Sequence, residues 1–356
     1  MMKKYRILTI NPGSTSTKIA LFENEVKLFE ENIRHSIEEL EVFNTILEQY
    51  SFRENSIIKV LEDRSIELST LSCIVARGGL LKPIEGGTYI IDSSLVDALR
   101  KGAIHACNLA GLIANELAQE LNINSYIVDP PCVDELEEIA RVTGIKEIKR
   151  TSLFHALNQK AVARRAAKIL GKKYEECNFI VAHIGGGISV GAHRLGRVID
   201  VNNALNGDGP FSPERAGGIP TGEFLNLCFS GKYTKEQINK MLSSKGGMVN
   251  HLGVNDVRIV EEMIEKGDSK ASLIYDAMVY QVAKAIGEMA TVLKGEYDRI
   301  ILTGGISHSK KFCSKLKERI NFLGQIEIFP GEDELVALAE GGLRILNGLD
   351  NPKKYR

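Results

Sequence analysis

The sequence predicts an α/β protein assembled from two similar halves. Strand-like and helix-like stretches alternate along the chain, and no low-complexity tract or long linker interrupts them. An apolar strand, a Gly/Ser/Thr turn and a second apolar strand occur twice, as ILTINPGSTSTKIALF at residues 7–22 and FIVAHIGGGISVGAHR at residues 179–194. A length of 356 residues with 44% hydrophobic side chains suits two medium domains, each with its own core. The first repeat opens the N-terminal half and the second opens the C-terminal half. The boundary is therefore expected between residues 150 and 178. Residues 1–155 with 331–356 form the expected first domain, with the last helix packed back on it, and residues 156–330 form the second.

Strands are expected at Tyr5–Ile10, Ile19–Phe22, Cys73–Ala76, Thr88–Ile91, Ser125–Val128, Phe179–His183 and Arg299–Leu302. Each run is short, rich in β-branched or aromatic residues, and bounded by turn formers. Helices are expected at Asn108–Leu121, Ala156–Leu170, Ser272–Leu293 and Glu334–Leu346, where apolar residues recur three and four apart.

A formal net charge of −1 from 45 basic and 46 acidic residues provides no global field for nucleic acid or an anionic membrane. The short basic start Met1–Arg6 leads into an apolar run that breaks at Asn11 and Pro12. Neither a signal peptide nor a membrane span is expected, and the location expected is cytoplasmic. The six cysteines form no CxxC pair and read as reduced packing residues; without finger or ribbon spacing, any metal should be held by oxygen.

The two turns carry the chemistry. Glycine removes the Cβ that would keep backbone N–H groups away from a phosphate, so two such turns suggest two halves gripping one nucleotide. The first, Asn11-Pro12-Gly13-Ser14-Thr15-Ser16-Thr17-Lys18, lacks the second glycine and the following helix of a P-loop, and taken alone it reads as an ordinary hairpin turn. Its recurrence argues for phosphate binding. The second, His183-Ile184-Gly185-Gly186-Gly187-Ile188-Ser189-Val190-Gly191, contains GxSxG, the pattern of a hydrolase nucleophile elbow. That elbow needs a helix directly after the serine. Residues 190–201 continue instead as a hairpin, so a Ser189 hydrolase is the runner-up.

Three polar positions end apolar strands, where side chains leave the sheet. Arg77 ends CIVA before Gly78 and Gly79. Asp129 ends YIV before two prolines and an expected acidic helix start. Thr303-Gly304-Gly305-Ile306-Ser307 follows IIL and is expected to open a helix suited to a nucleoside or phosphate.

In order along the chain, INPGSTSTK, ARGG, VDP, SLFHALN, HIGGGISVG, PERAGG, LTGGISHS and EDELVALAEGG resemble the acetate and butyrate kinase family over nearly the whole length. The resemblance implies the duplicated ribonuclease-H-like, actin-like ATPase fold, with a nucleotide cleft between two domains. It implies ATP/ADP and Mg2+ as cofactors, a small carboxylic acid and its acyl phosphate as substrates, and a homo-oligomer. HIGGG and SPERAGGIPTG, in place of HLGNG-like and MGTRSGD-like segments, place the chain nearer the butyrate and branched-chain members than the acetate or propionate ones. An actin-like ATP-binding protein is a further alternative; it would not need the two arginines of ARGG and PERAGG.

A carboxylate is ionised at neutral pH, so its attack on a γ-phosphate needs no general base. It needs two anions brought together and the transferring charge spread. By resemblance, Arg77 and Arg215 bind the carboxylate and the transferring group, and His155 donates to the phosphoryl oxygens. Asp129 joins them as a catalytic residue. His105 either supports the carboxylate or packs a helix entry. Asn11, Gly13, Ser14, Thr15, Ser16, Lys18, His183, Gly185, Gly186, Gly187, Gly304, Gly305 and Ile306 hold the nucleotide, Lys18 being either a phosphate partner or the charged end of a strand. Asn11, Asp129 and Glu334 are the metal residues, with Glu332 and Asp333 as neighbours that could take the place of Glu334.

Overall fold

The computed structural model describes residues 3–102 and 105–356. Two compact units divide the chain: Met1–Val133 with Asp333–Arg356, and Asp134–Glu332.

The first unit holds a six-stranded sheet of order β3-β2-β1-β4-β6-β5. Its strands are β1 (Arg6–Pro12), β2 (Ser16–Glu23), β3 (Val26–Arg34), β4 (Cys73–Arg77), β5 (Thr88–Ile90) and β6 (Asn124–Val128). β1, β2 and β3 form an antiparallel meander, β4 and β6 run parallel to β1, and β5 closes the edge antiparallel to β6. Because side chains alternate across a sheet, Leu8, Ile10, Ile74, Ala76 and Ile127 face one side and pack with Leu109, Ile113 and Leu117 of the Cys107–Glu120 helix. Ile7, Cys73 and Val75 face the other side, where the Glu334–Leu346 helix lies so close that a Cβ on Gly342 would stand 2.6 Å from Val75 Cγ2. β3 has no fully buried residue and alternates exposed with half-buried positions, as an edge strand does.

The second unit repeats this arrangement in a five-stranded sheet of order β11-β10-β7-β8-β9. Its strands are β7 (Asn178–Ile184), β8 (Ile188–Arg194), β9 (Arg197–Val201), β10 (Arg299–Gly304) and β11 (Ile326–Pro330). β7, β8 and β9 again form the antiparallel meander, with β10 parallel to β7 and β11 parallel to β10. Ile180, Ala182, Ile300 and Leu302 pack against the Ser269–Val292 helix, while Phe179, Val181 and Ile301 meet the Ala156–Ile169 helix. A three-stranded meander continued by parallel strands from its first member is the ribonuclease-H-like arrangement, and this chain contains it twice.

The division falls earlier than the sequence suggests, after Val133 rather than within residues 150–178, and it returns between Glu332 and Asp333. Residues 134–155 belong to the second unit because polar anchors tie them there. Glu135 forms a buried ion pair with Lys160 at 2.9 Å, Arg150 pairs with Asp200 at 2.9 Å, and the Glu137 N–H donates to the Ile199 carbonyl. Two local expectations also change. No helix starts directly after Pro130 and Pro131; a single turn, Glu138–Arg141, comes later. Gly305 opens a 3-10 turn through His308, and the helix proper begins at Lys310 with Ser309 as its cap. Among the described residues no helix is long and apolar enough to cross a membrane. The six cysteines are free and five are buried, with burial pushing the Cys73 thiol up to about 12.

Candidate active site

In the first unit, strand parity brings the site residues together. β1 and β4 run side by side with Ile7 opposite Cys73 and Thr9 opposite Val75, so Asn11 and Arg77 leave the sheet on the face covered by the last helix. That helix starts with Glu334. Its carboxylate accepts a 2.6 Å hydrogen bond from Asn11 Nδ2 and forms an ion pair with Arg77, both side chains of the pair being about one-fifth exposed. Of the three adjacent acids, Glu334 is therefore the one joined to Asn11 and Arg77. Asp333 is the N-cap residue, in left-handed backbone at φ 37°, and Glu332 lies in the second unit.

Asp129 follows β6, is 1% exposed, and also holds a left-handed conformation, at φ 38°. Its Oδ1 accepts the Gly87 N–H at 2.7 Å, which orients the carboxylate at the end of the strand. His105 accepts the Cys107 N–H at Nδ1, and burial, followed by the charges of Arg77 and Arg53, lowers its pKa. Lys18 is exposed and lies opposite Asn11 in the hairpin, hence on the same face of the sheet; among the described residues its side chain forms no hydrogen bond or ion pair.

The turn between β1 and β2 is held from beneath. Arg53, on the Tyr50–Asp63 helix, is fully buried and donates to the carbonyls of Gly13 (3.0 Å), Ser14 (2.8 Å) and Ser16 (3.0 Å) and to Thr17 Oγ1 (3.1 Å). The remaining carbonyl, that of Thr15, accepts the His35 N–H at 2.9 Å. Every carbonyl of residues 13–16 is thus tied into the protein. Among the described residues the N–H groups and hydroxyls of the exposed Ser14 and Thr15 donate to nothing.

In the second unit, the turn between β7 and β8 is built on the same plan. Ser212 Oγ donates to the Gly186 carbonyl at 2.5 Å and the Gly185 N–H to that of Gly187 at 3.1 Å. Two of its glycines have side chains packed closely against them. A Cβ on Gly185 would be 3.1 Å from His183 Nε2 and 3.2 Å from Glu332 Oε1, and one on Gly187 would meet the Arg215 guanidinium. Arg215 donates through Nη1 to the Ala204 carbonyl, and its buried Nε has no hydrogen-bond partner. Burial lowers its pKa, and the neighbouring Glu214 partly offsets this.

His155 stands at the N-terminus of the Ala156–Ile169 helix and stacks on His183, with centroids 3.7 Å apart and planes 8° apart. His183, Ser189 and His193 share the sheet face that this helix covers, and they build a buried polar chain with it. Tyr174 Oη meets His193 Nδ1 at 2.7 Å, His193 Nε2 meets Gln159 Oε1 at 2.9 Å, Gln159 Nε2 donates to Ser189 Oγ at 2.7 Å, and Ser189 Oγ meets His155 Nδ1 at 2.8 Å. His183 Nδ1 meets Asn158 Oδ1 at 2.7 Å; its buried Nε2 has no hydrogen-bond partner and lies 3.4 Å from Glu332. Burial, then the charges of Lys160 and Arg164, holds His193 well below the usual histidine range, so it is neutral. Ser189 is fully buried within a strand, with no helix behind it and its Oγ already engaged, which removes the hydrolase alternative.

Gly304, at φ 89°, ends β10 and passes so close to β7 that a Cβ would stand 2.5 Å from the Ile184 carbonyl. Gly304 and Gly331 exchange backbone hydrogen bonds at 3.0 Å. The loops after β7, β10 and β11 and the start of the Ala156–Ile169 helix therefore gather at one end of the second sheet. The expected site residues form two sets: Asn11, Gly13–Ser16, Lys18, Arg77, His105, Asp129 and Glu334 in the first unit, and His155, His183, Gly185–Gly187, Arg215 and Gly304–Ile306 in the second. Arg53, Gln159 and Asn158 were not expected. Each lies inside an amphipathic helix, where the sequence offers no signal to separate a polar anchor from a solvated face.

The donors near Asn11 are hard oxygens, which suit Mg2+, although Glu334 is engaged by Arg77 and no cluster of three or more His, Cys, Asp or Glu side chains arranged to hold a metal exists among the described residues.

Comparison with known proteins identifies the family. The sequence model of the Acetokinase family matches residues 141–337. Butyrate kinase 1 of Clostridium acetobutylicum is 53% identical over 354 residues, 99% of this chain and 100% of that one. A probable butyrate kinase of Clostridium botulinum is 50% identical over 353 residues, 99% of each chain. Among solved structures, the acetate kinase of Porphyromonas gingivalis superposes with a TM-score of 0.78 over 96% of this chain and 100% of its own, at 19% identity, and shows the shared fold. On these matches the chain belongs to the acetokinase family.

Proposed function

We propose that the protein is a butyrate kinase: it transfers the γ-phosphoryl group of ATP to the carboxylate of butyrate or a similar short-chain acid, reversibly, giving ADP and the acyl phosphate. The observation that carries this reading is 53% identity over the whole length to a protein named Butyrate kinase 1. The two glycine-containing turns, Arg77 and Arg215 are assigned the chemistry.

The acid attacks in line as the ionised carboxylate, so the protein's task is to position two anions and spread charge. Arg77, oriented by Glu334, and Arg215, with an unused buried Nε, are assigned to the carboxylate and the transferring phosphoryl group, because a guanidinium offers paired donors and keeps its charge. The polar chain behind His155 sets its tautomer. Gln159 faces His193 with its carbonyl oxygen, so its amide nitrogen donates to Ser189, and the Ser189 hydroxyl donates in turn to His155 Nδ1. The neutral ring then carries its proton on Nε2, ready to donate to a phosphoryl oxygen. His105 supports the carboxylate end beside Arg77. In the loops 13–16 and 185–187, Ser14, Thr15, Gly186 and Gly187 are assigned to present backbone N–H groups to phosphates, the Gly13 and Gly185 N–H groups being engaged within their own turns, and Gly304–Ile306 to take the adenosine.

Asp129 and Asn11, with Glu334 acting through water, are the residues that would hold Mg2+, which would supply positive charge against the phosphates. A reaction that draws on the ATP pool belongs in the cytoplasm. A homo-oligomer is supported by the Thr221–Cys228 helix, which has no buried residue and leaves Leu225 and, just beyond it, Phe229 exposed.

The test is hydroxylamine trapping of acyl phosphate with ATP and magnesium across acetate, propionate, butyrate, isobutyrate and isovalerate. A profile peaking at four or five carbons is expected. A peak at acetate would make the protein an acetate kinase, and no product with any acid from protein that binds ATP would overturn the kinase reading.

A further inference from the structure

Arg53 is the least accounted-for charge in the molecule. It is fully buried, all its hydrogen bonds go to neutral acceptors, Gln49 Oε1 among them at 3.1 Å, and no carboxylate lies within ion-pair distance among the described residues. A buried cation without an anion is costly unless its surroundings supply one. Protein dipoles meet part of that need: three carbonyls of the 13–16 turn and the Thr17 hydroxyl converge on the guanidinium. The same contacts turn those carbonyls inward, and the N–H groups and hydroxyls of Ser14 and Thr15 are left without a protein acceptor. The turn is thereby oriented with a positive charge beneath it and unspent donors on it.

We infer that Arg53 is a positioning residue for phosphate: it aims the donors of the 13–16 turn outward, and its charge is completed by the phosphate group that the turn holds. This rests on the reading of that turn as a phosphate loop and adds a residue that touches neither nucleotide nor acid. The role is matched to arginine, since a planar fork can reach three carbonyls at once and cannot lose its proton, whereas lysine supplies charge at a single point. Burial lowers the Arg53 pKa from an ordinary value so high that the group stays cationic.

The experiment compares the binding of ADP and of adenosine by calorimetry in the full-length protein and in Arg53→Gln and Arg53→Lys. Arg53→Gln should weaken ADP by at least about tenfold, equivalent to ~1.4 kcal/mol, while adenosine binds as before. Arg53→Lys should recover part of the ADP affinity by restoring charge. Equal weakening of ADP and adenosine, an unchanged ADP affinity in folded Arg53→Gln, or a lysine variant no better than glutamine would each overturn the inference. Should Arg53→Gln fail to fold, inorganic pyrophosphate added to the wild-type protein should slow amide exchange in residues 13–17, and no slowing would overturn it. Wild-type protein that binds ADP no more tightly than adenosine would instead refute the nucleotide reading, so the two failures are distinguishable.

Discussion

Replacing Gly187 by alanine should disable the enzyme without unfolding it. The added Cβ would stand 2.7 Å from Arg215 Cζ and 3.3 Å from Nη2, and closer still to Nη1. Ordinary carbon contacts lie at about 3.5–4.0 Å, so the guanidinium must retreat by about 1 Å. The backbone at Gly187 is outside the left-handed region, so alanine adds no strain there. The group that moves is the far end of a flexible side chain, which keeps the stability cost below about 1 kcal/mol. A displacement of that size at a reacting centre costs about 100-fold in rate. Trapping of butyryl phosphate should therefore show kcat reduced by about that factor, with the urea midpoint nearly unchanged. Activity within about threefold of wild type would refute the placement of Arg215 in the chemistry, and equal losses of stability and activity would mean that the loop, not the arginine, had failed.

The same glycine-to-alanine change should have opposite signs in two helices. At Gly342 the new Cβ meets Val75 Cγ2 at 2.6 Å and Cys73 Sγ at 3.3 Å, so overpacking of about 1–3 kcal/mol should exceed the helix-propensity gain of about 1 kcal/mol. At Gly287 nothing lies within 4 Å, so the gain should stand alone and raise the unfolding midpoint. Gln159→Leu removes the amide that holds His193 Nε2, the Ser189 carbonyl and Ser189 Oγ; Ser189 Oγ keeps His155, and the two other buried groups left behind predict a loss of about 2–5 kcal/mol by urea unfolding. Turnover should fall further than that of a variant equally destabilised elsewhere, because the His155 tautomer is released. Stability should decline as pH falls from about 7 to 5.5. His35 and His193, both buried, have folded pKa values below their unfolded ones, so the unfolded chain binds protons first, and each contributes a slope of up to about 1.4 kcal/mol per pH unit below the ordinary histidine value. A flat or rising unfolding free energy across that range would contradict the buried, neutral assignment.

Much of the site was legible in the sequence because its residues stand at strand ends. Asn11, Arg77, Asp129 and His183 each follow an apolar run that could only be a covered strand, and the glycine turns betray themselves by composition. Arg53 and Gln159 were not legible. Both sit in amphipathic helices, and nothing local distinguishes a polar side chain that reaches a distant segment of the fold from one that reaches water. β3 was missed because an edge strand buries too little to show an apolar run, and β11, with no fully buried residue, gave the same weak signal. The boundary was misplaced because Glu135, Arg150 and their partners act through ion pairs, which leave no periodic trace.

Composition, strand periodicity and the repeated turn were sufficient by themselves to determine an α/β chain of two halves and the strands at whose ends the candidate site residues stand. Tertiary structure alone decided which residues meet: that Glu334 rather than its acidic neighbours joins Asn11 and Arg77, that Ser189 serves His155 as a hydrogen-bond partner inside a strand, and that a buried arginine lies under the first turn. The physical reason is that backbone preference and burial are local or periodic and are written into neighbouring residues. The pairing of a polar group with its partner depends instead on side chains brought together from distant segments, and folding sets that distance.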